Sequence, residues 1–144
     1  TKIENSNILD LFCGVGSFGL ECLSRNSSFV TFVENYKEVL PILKKNIYNL
    51  SNQSNYSIIE KDIFKNLNFK TFKKKFDIIF IDPPYKKEGV SLLLKMIISS
   101  DILSDKGVMI LHRHKKEKGE FPDEFTIIEE KTYGISKIIF GVCA

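Results

Sequence analysis

The sequence predicts an α/β fold: a mostly parallel sheet of seven strands with an antiparallel last strand and with helices on both faces. Five apolar, strand-like segments alternate with helical segments, a pattern typical of parallel strands joined by crossover helices. The last two strand-like segments, 125–132 and 135–142, are joined through Tyr133 and Gly134 alone. So short a connection joins antiparallel strands, because parallel strands need a longer crossover. We expect residues 1–144 to form a single domain, since this length allows one substantial core.

The first strand is followed by a glycine-rich turn. Residues 8–12 are apolar except for Asp10, and residues 13–19 (CGVGSFG) lead directly into a helical segment over 20–25. The glycines of this turn are Gly14, Gly16 and Gly19. They permit a tight turn, close approach of a ligand to the backbone and close packing of the helix on the strand. Because this G-x-G-x-x-G pattern lies between a strand and a helix, it predicts a cofactor-binding turn.

The second and third strands are each followed by a carboxylate. The second strand spans 29–34, and its terminal acid, Glu34, is placed to accept hydrogen bonds from both hydroxyls of a ribose. A strand-terminal acid in water is the alternative, and Asn35 can cap the helix that follows. After the third strand, residues 56–60, Asp62 would lie at the same sheet edge. There it can accept a hydrogen bond from an adenine amino group, or it can cap a helix.

The fourth strand ends in Asp-Pro-Pro-Tyr. Residues 76–82 begin with an apolar run rich in Ile and Phe, which indicates a strand buried on both faces. The strand stops at Asp82, because Pro83 and Pro84 lack the N–H groups of a sheet ladder. The turn therefore holds a carboxylate, two stiff carbonyl-bearing residues and the ring of Tyr85 at the edge where open α/β sheets bind ligands. It suits an exocyclic amine on a planar base; a strand-ending turn with a solvated Tyr85 is the alternative.

The remainder of the chain carries basic residues and two histidines. After a helix over 90–99, the fifth strand, 108–111, ends in His112 and is followed by basic residues up to Lys118. Neither His112 nor His114 has an acidic or cysteine partner at metal-ligand spacing, so we expect both to be substrate-side or solvated, with no metal bound. The net charge of +3 does not indicate a nucleic-acid partner by itself, because a basic run is most often a solvated face.

The cysteines and the hydropathy of the chain indicate the cellular location to expect. The cysteines are Cys13, Cys22 and Cys143, an odd number without CxxC spacing. This argues against a disulfide framework and a structural zinc site, and it favours a reducing cytoplasm. The chain has no apolar run of about 18 residues and no signal-peptide pattern, so we expect a cytoplasmic protein without a membrane partner. No pattern indicates oligomerisation, so we expect a monomer.

Two stretches resemble the RsmD family: Asp10 to Gly19 with its continuation through Glu21, Ser24 and Arg25, and the turn from Asp82 to Tyr85. The likeness covers essentially the whole chain. Members of this family are bacterial enzymes that methylate the N2 amine of one guanine in small-subunit (16S) ribosomal RNA. They belong to the Rossmann-like class I methyltransferases, whose seven-stranded sheet has its last strand antiparallel. The resemblance implies S-adenosyl-L-methionine as cofactor, and ribosomal RNA or an assembling small ribosomal subunit as partner.

The resemblance also implies a role for each site residue. The implied cofactor-binding residues are Asp10, Phe12, Cys13, Gly14, Gly16, Gly19, Glu34, Asn35, Asp62 and Ile63. The implied catalytic residues are Asp82, Pro83, Pro84 and Tyr85. The methionine part of the cofactor would lie against Asp10 and the glycine turn, its ribose against Glu34 and its adenine against Asp62. The Asp82 carboxylate and the carbonyl of the next residue would accept hydrogen bonds from the substrate amine, and Tyr85 would stack on the base.

Alternative activities share parts of this pattern. N6-adenine methylation of DNA or RNA uses the same amine chemistry and the same turn. Methylation of a protein glutamine amide is a second alternative, although that family more typically has Asn at the position of Asp82. Cytosine C5 methylation needs a nucleophilic cysteine; Cys13 lies in the cofactor turn, so we exclude it.

Two departures from the family pattern bear on catalysis. Val15 stands where the family more often has Ser or Thr. The family usually carries a basic N-terminal segment that helps to close the cofactor site and to contact RNA, whereas here the first strand already begins at Ile8. We therefore expect that segment to be missing, which leaves a catalytically weakened cofactor- or RNA-binding module as a further alternative.

Overall fold

The computed structural model describes residues 3–50, 54–84 and 88–143, and within them the chain forms one seven-stranded sheet. The strands are β1 (Asn7–Leu11), β2 (Phe29–Val33), β3 (Tyr56–Ile59), β4 (Phe76–Ile81), β5 (Leu103–His114), β6 (Phe125–Tyr133) and β7 (Ser136–Cys143). The helices are α1 (Ser17–Ser24), α2 (Leu40–Asn49), α3 (Val90–Ser99) and a short 3₁₀ helix, Phe69–Thr71.

The strand order is β3-β2-β1-β4-β5-β7-β6. The first five strands are parallel, and β7 runs antiparallel between β5 and β6. The predicted fold class is therefore confirmed, including the antiparallel last strand. Because the five parallel strands point the same way, the residues that follow them meet at one edge of the sheet.

Helices cover both faces of this sheet. Alternate residues of a strand point to opposite faces, and the core divides accordingly into two clusters. On one face Ile8, Val30, Phe32 and Ile78 pack against α1 and α2. On the other face Leu9, Leu11, Ile79 and Ile81 pack against α3. The central strands are thus held between two apolar layers, which gives the carboxyl edge of the sheet a rigid base.

Strand β5 is longer than the sequence predicted. It begins at Leu103 and ends at His114, whereas the apolar pattern predicts only 108–111. The sequence did not predict its start, because residues 104–107 are polar and the pairing with β4 is irregular there. The sequence did not predict its end either, because that part of the strand carries charged side chains. These side chains do not prevent the backbone from pairing with β7 as far as Ser136.

Among residues 3–50, 54–84 and 88–143, no helix combines the length and the apolar character needed to cross a membrane.

Glycine 141 lets the closing hairpin pack, and its replacement by alanine tests this. The ring of Phe125, which is 5% exposed, lies directly over Gly141, and a methyl group there would overlap it. We expect Gly141→Ala to lower the free energy of unfolding by about 1–3 kcal/mol, the usual range for overpacking a well-filled core. Urea unfolding followed by far-UV circular dichroism measures this. The control is Gly119→Ala, because an added methyl group at this exposed site meets no atom within 4 Å. Equal stability of the two variants would contradict the packing argument.

Candidate active site

Two cavities flank the carboxyl end of β1 and bring the predicted cofactor residues together. The smaller, of about 340 Å³, is lined by Phe12, Glu34, Asn35, Asp62, Ile63 and neighbouring residues. The larger, of about 510 Å³, is lined by Asp10, Phe12, Cys13, Gly14, Phe80 and neighbouring residues. Asp82 lines both cavities. Residues that are far apart in the sequence therefore lie together along the carboxyl edge of the sheet, as expected for the ends of parallel strands.

The glycine turn adopts the conformation that its sequence predicts. Gly14 and Gly16 have φ values of 55° and 89°, in the left-handed region where a side chain is costly. Gly19 lies inside α1, where an added methyl group would overlap the ring of Phe32. Unlike Gly14, neither Gly16 nor Gly19 lines the two cavities; they shape the turn and seat α1 on the sheet.

Phe12, one of the implied cofactor-binding residues, has a backbone conformation that the sequence patterns did not predict. Its φ of 57° lies in the left-handed region, which is unfavourable for a residue with a bulky side chain and concentrates at functional sites. Its side chain lines both cavities and packs against Phe64, with ring centroids 5.7 Å apart. The strained backbone thus directs a large apolar ring to the point where the two cavities meet.

The Glu34 carboxylate ties the end of β2 to the glycine turn. Its Oε1 accepts a hydrogen bond from the Gly14 N–H at 2.9 Å, and its Oε2 accepts from the N–H groups of Asn35 and Tyr36, both at 3.0 Å. These three bonds use three of the roughly four lone-pair sites of a carboxylate. Glu34 therefore anchors the site, while the ribose contact implied for it stays a prediction.

Asp10 is a buried carboxylate with one oxygen unpartnered. It is 1% exposed, and its Oδ2 accepts a hydrogen bond from the Gly19 N–H at 3.1 Å. Its Oδ1 has no hydrogen-bond partner among the described residues. Burial, opposed in part by the Gly19 N–H and assisted by the nearby Asp82 and Glu34 charges, raises the pKa of Asp10 to about 8. A cation beside Asp10 would satisfy the unpartnered oxygen and favour the ionised form.

Asp62 supports a turn with one oxygen. Its Oδ1 accepts hydrogen bonds from the Phe64 N–H at 2.8 Å and from the Lys65 N–H at 3.1 Å. The capping alternative considered for Asp62 is thus present. Asp62 and Ile63 also line the smaller cavity, so the adenine contact implied for them stays a prediction.

The Asp-Pro-Pro turn lies between these two cavities and a third cavity. This third space, of about 170 Å³, is lined by Asp82, Pro83, His112 and residues from the ends of β5 and β7. Pro84 lines the smaller of the first two cavities. Asp82 faces all three spaces, and its side chain is 44% exposed. Tyr85, the fourth predicted catalytic residue, lies outside the described residues.

His112 contacts Asp82, which spacing along the chain did not reveal. Its Nδ1 lies 2.9 Å from Asp82 Oδ1. His112 therefore lies beside Asp82 at the carboxyl edge of the sheet, and the substrate-side position expected for it stays a prediction. Within the described residues, no group of three or more His, Cys, Asp or Glu side chains is arranged to hold a metal.

Cys13, which lines the larger cavity, lies in an environment that disfavours its thiolate. Burial and the neighbouring Asp10 and Glu34 charges raise the pKa of the Cys13 thiol far above its ordinary value. Because the thiolate is the reactive form, this environment does not favour a nucleophilic role for Cys13.

Comparison with known proteins identifies the family. The model of a family described as Conserved hypothetical protein 95 matches residues 1–142. The chain is 32% identical over 142 residues to Ribosomal RNA small subunit methyltransferase D from Buchnera aphidicola, covering 99% of this chain and 73% of that protein. The chain belongs to this family. It is the RsmD family that the sequence motifs indicated, so the predicted resemblance is confirmed.

Solved structures agree with the fold. A proposed methylase from Haemophilus influenzae is 30% identical and superposes with a TM-score of 0.81, covering 96% of this chain and 87% of that chain. A more distant likeness, at 18% identity and a TM-score of 0.78, is to a proposed methyltransferase complexed with S-adenosylhomocysteine. It covers 97% of this chain and 46% of that chain. At that identity the likeness shows the fold alone, which is the class I methyltransferase fold.

The residues of this RsmD-family site fit S-adenosyl-L-methionine. The cofactor carries a sulfonium and an ammonium group, and the site offers three carboxylates close enough to influence one another: Asp10, Glu34 and Asp82. The unpartnered Asp10 Oδ1 needs a donor of the kind that an ammonium group supplies. The two adjoining cavities provide room for a ligand that has two parts, an amino acid and a nucleoside.

Replacement of Asp10 by asparagine tests the buried carboxylate through the pH dependence of stability. The pKa of about 8 in the folded chain lies above the ordinary aspartate pKa of 3.8, so between these values the folded chain binds a proton that the unfolded chain releases. The wild type therefore loses stability relative to Asp10→Asn as pH rises from 5 to 8, by at most about 1.4 kcal/mol per pH unit. Urea unfolding at pH 5, 6, 7, 8 and 9 measures the difference.

The exposed Asp123 provides the control for this experiment. The difference between wild type and Asp123→Asn should show no comparable slope. Parallel stability curves for wild type and Asp10→Asn would contradict the raised pKa.

Proposed function

We propose that the chain transfers a methyl group from S-adenosyl-L-methionine to the exocyclic N2 amine of a guanine in small-subunit ribosomal RNA. The observation that carries the proposal is the position of Asp82, an acceptor that faces both cofactor cavities and the third cavity beside them. Membership of the RsmD family supports the substrate class. The reaction belongs to the cytoplasm, where ribosomal subunits assemble, and we expect a monomer to perform it.

The cofactor would extend across the two cavities. Asp10 and the glycine turn hold the methionine end in the larger cavity, while Glu34 and Asp62 hold the ribose and adenine in the smaller one. When bound, the cofactor supplies an electrophilic methyl group on its sulfonium sulfur. Phe12, at the junction of the cavities, would pack against the bound cofactor.

Asp82 and the Pro83 carbonyl would orient the substrate amine. The lone pair of an exocyclic amine is delocalised into the ring, which makes the nitrogen a poor nucleophile. Two acceptors that bind both N–H hydrogens favour a pyramidal nitrogen and direct its lone pair towards the methyl group. Orientation of this kind supplies up to roughly 7–11 kcal/mol in favourable cases. The same carboxylate stabilises the positive charge that develops on nitrogen and can accept the proton that then leaves it.

Two groups of lysines lie at opposite edges of the sheet. The lysines at 73–75 precede β4 and so lie at the edge opposite the site. Lys115 and Lys116 are exposed directly after β5, at the site edge. Arg113 is only 10% exposed and is paired with Glu117 at 2.8 Å, so it is a structural cation. We assign phosphate contacts to Lys115 and Lys116, which would position RNA without reading its sequence. The target base must be unpaired or flipped to enter such a pocket.

A methylation assay with an Asp82→Asn variant tests the proposal. The substrates are small ribosomal subunits, and separately their naked RNA, from bacteria that lack the modification. We expect N2-methylguanosine with the wild type. We expect kcat to fall by about 10²–10³ for Asp82→Asn, the usual effect of losing one transition-state contact, with S-adenosylhomocysteine affinity unchanged by calorimetry. Nucleoside analysis of the digested RNA identifies the product.

The control is Asp105→Asn, an exposed acid near the start of β5 at the opposite sheet edge. N6-methyladenosine as product would overturn the guanine assignment while keeping amine methylation. If the wild type binds S-adenosylhomocysteine but methylates no nucleic acid, the enzymatic proposal fails in favour of a binding module.

A further inference from the structure

We propose that His112 is a positioning residue that holds the Asp82 carboxylate for the substrate amine. The inference rests on the proposed function, because it concerns the same site. It begins from the pairing of β4 with β5, in which Ile81 and Leu111 are opposite each other. The next residues along the chain are Asp82, directly after β4, and His112, in β5, so the sheet itself brings these two side chains to the same face and the same edge.

The direction of the hydrogen bond follows from the chemistry of the two groups. A carboxylate has no hydrogen to donate, so at 2.9 Å His112 Nδ1 donates to Asp82 Oδ1. This bond fixes the proton on Nδ1 and orients the imidazole ring. Among the described residues, none donates a hydrogen bond to the other oxygen, Asp82 Oδ2. One oxygen is thus held by the protein, and the other is left to accept from the substrate.

The exposure of Asp82 shows why it needs a partner. Asp10 is buried and held by a backbone N–H, whereas the Asp82 side chain is 44% exposed and faces open cavities. A half-exposed carboxylate without a partner samples several rotamers. A displacement of about 1 Å at a reacting group can lower the rate by about 100-fold. The His112 side chain, 33% exposed, lies beside Asp82 on both the larger cofactor cavity and the third cavity.

A merely structural pair would behave differently. Partly exposed ion pairs contribute little to stability, so a structural role would change the melting temperature slightly and leave the reaction alone. A positioning role instead predicts a loss in kcat that a hydrogen-bond donor at the same place restores. Asparagine provides such a donor, because its Nδ2 occupies about the position of the histidine Nδ1. Leucine has a similar size and lacks the donor.

The experiment compares His112→Leu and His112→Asn in the ribosomal RNA methylation assay. We expect His112→Leu to lower kcat by about 10- to 100-fold, with KM for the cofactor and affinity for S-adenosylhomocysteine unchanged. His112→Asn should recover most of the loss. In an Asp82→Asn background, His112→Leu should have little further effect, because the two residues act as one unit.

The matched control is Ser104→Ala. Ser104 Oγ donates to Asp77 Oδ1 at 2.9 Å between the same two strands, but at the opposite edge. Its loss should leave kcat within about twofold of wild type. Circular dichroism and S-adenosylhomocysteine binding establish that each variant is folded.

Each outcome decides the inference. Wild-type kcat in His112→Leu overturns it, as does His112→Asn when it is as slow as His112→Leu although folded. Additive losses in the double variant also overturn it. Failure of the proposed function has a separate signature, a wild-type chain that methylates no RNA, and that result overturns both proposals.

Discussion

The site depends on two hydrogen bonds that backbone N–H groups donate to carboxylates. Glu34, at the end of β2, accepts from Gly14, and Asp10, in β1, accepts from Gly19. Together they fix both ends of the glycine turn, whose three glycines have no side chains of their own to hold it. Most other residues that line the two cavities lie at or just after strand ends, and Phe18 of α1 and Val39 before α2 complete the lining. The turn is thus held from two neighbouring strands by acidic side chains.

These anchors cost stability and create affinity for a cation. The pKa of Asp10 is raised to about 8 by burial first, and Asp82 and Glu34 add to the effect. Ionisation of Asp10 is thus unfavourable in the free chain. In the proposed reaction, the sulfonium and ammonium groups of S-adenosyl-L-methionine would stabilise the ionised form on binding, which a neutral nucleoside would not do.

The fold and the convergence of the cofactor residues could be predicted because they follow from local pattern. The apolar strands, the glycine turn and the end of β4 at Asp-Pro-Pro each depend on a few adjacent residues. Parallel strands, in turn, must end at one edge of the sheet. The contact of Glu34 with Gly14 and that of Asp82 with His112 could not be predicted. Both join segments that are distant in the sequence, and both require the strand register. The full length of β5 was missed for the same reason, since backbone pairing with β7 extends it through charged residues.

Asp10 and Asp82 lie near the same edge of the sheet, but their carboxyl groups differ in burial and in what holds them. Asp10 points into the packed layer under α1, where a backbone N–H holds it and burial determines its protonation. Asp82 follows the next strand, beyond the packed layer, where solvent reaches it. In the proposed reaction, this exposure would leave Asp82 accessible to a large substrate, but an exposed side chain lacks the packing that would fix its orientation. A side chain on the neighbouring strand can replace that packing without closing the cavity, and His112 is the residue that the register places there. The requirement for an open, yet oriented, acceptor therefore explains why the partner of Asp82 comes from β5 and not from the core.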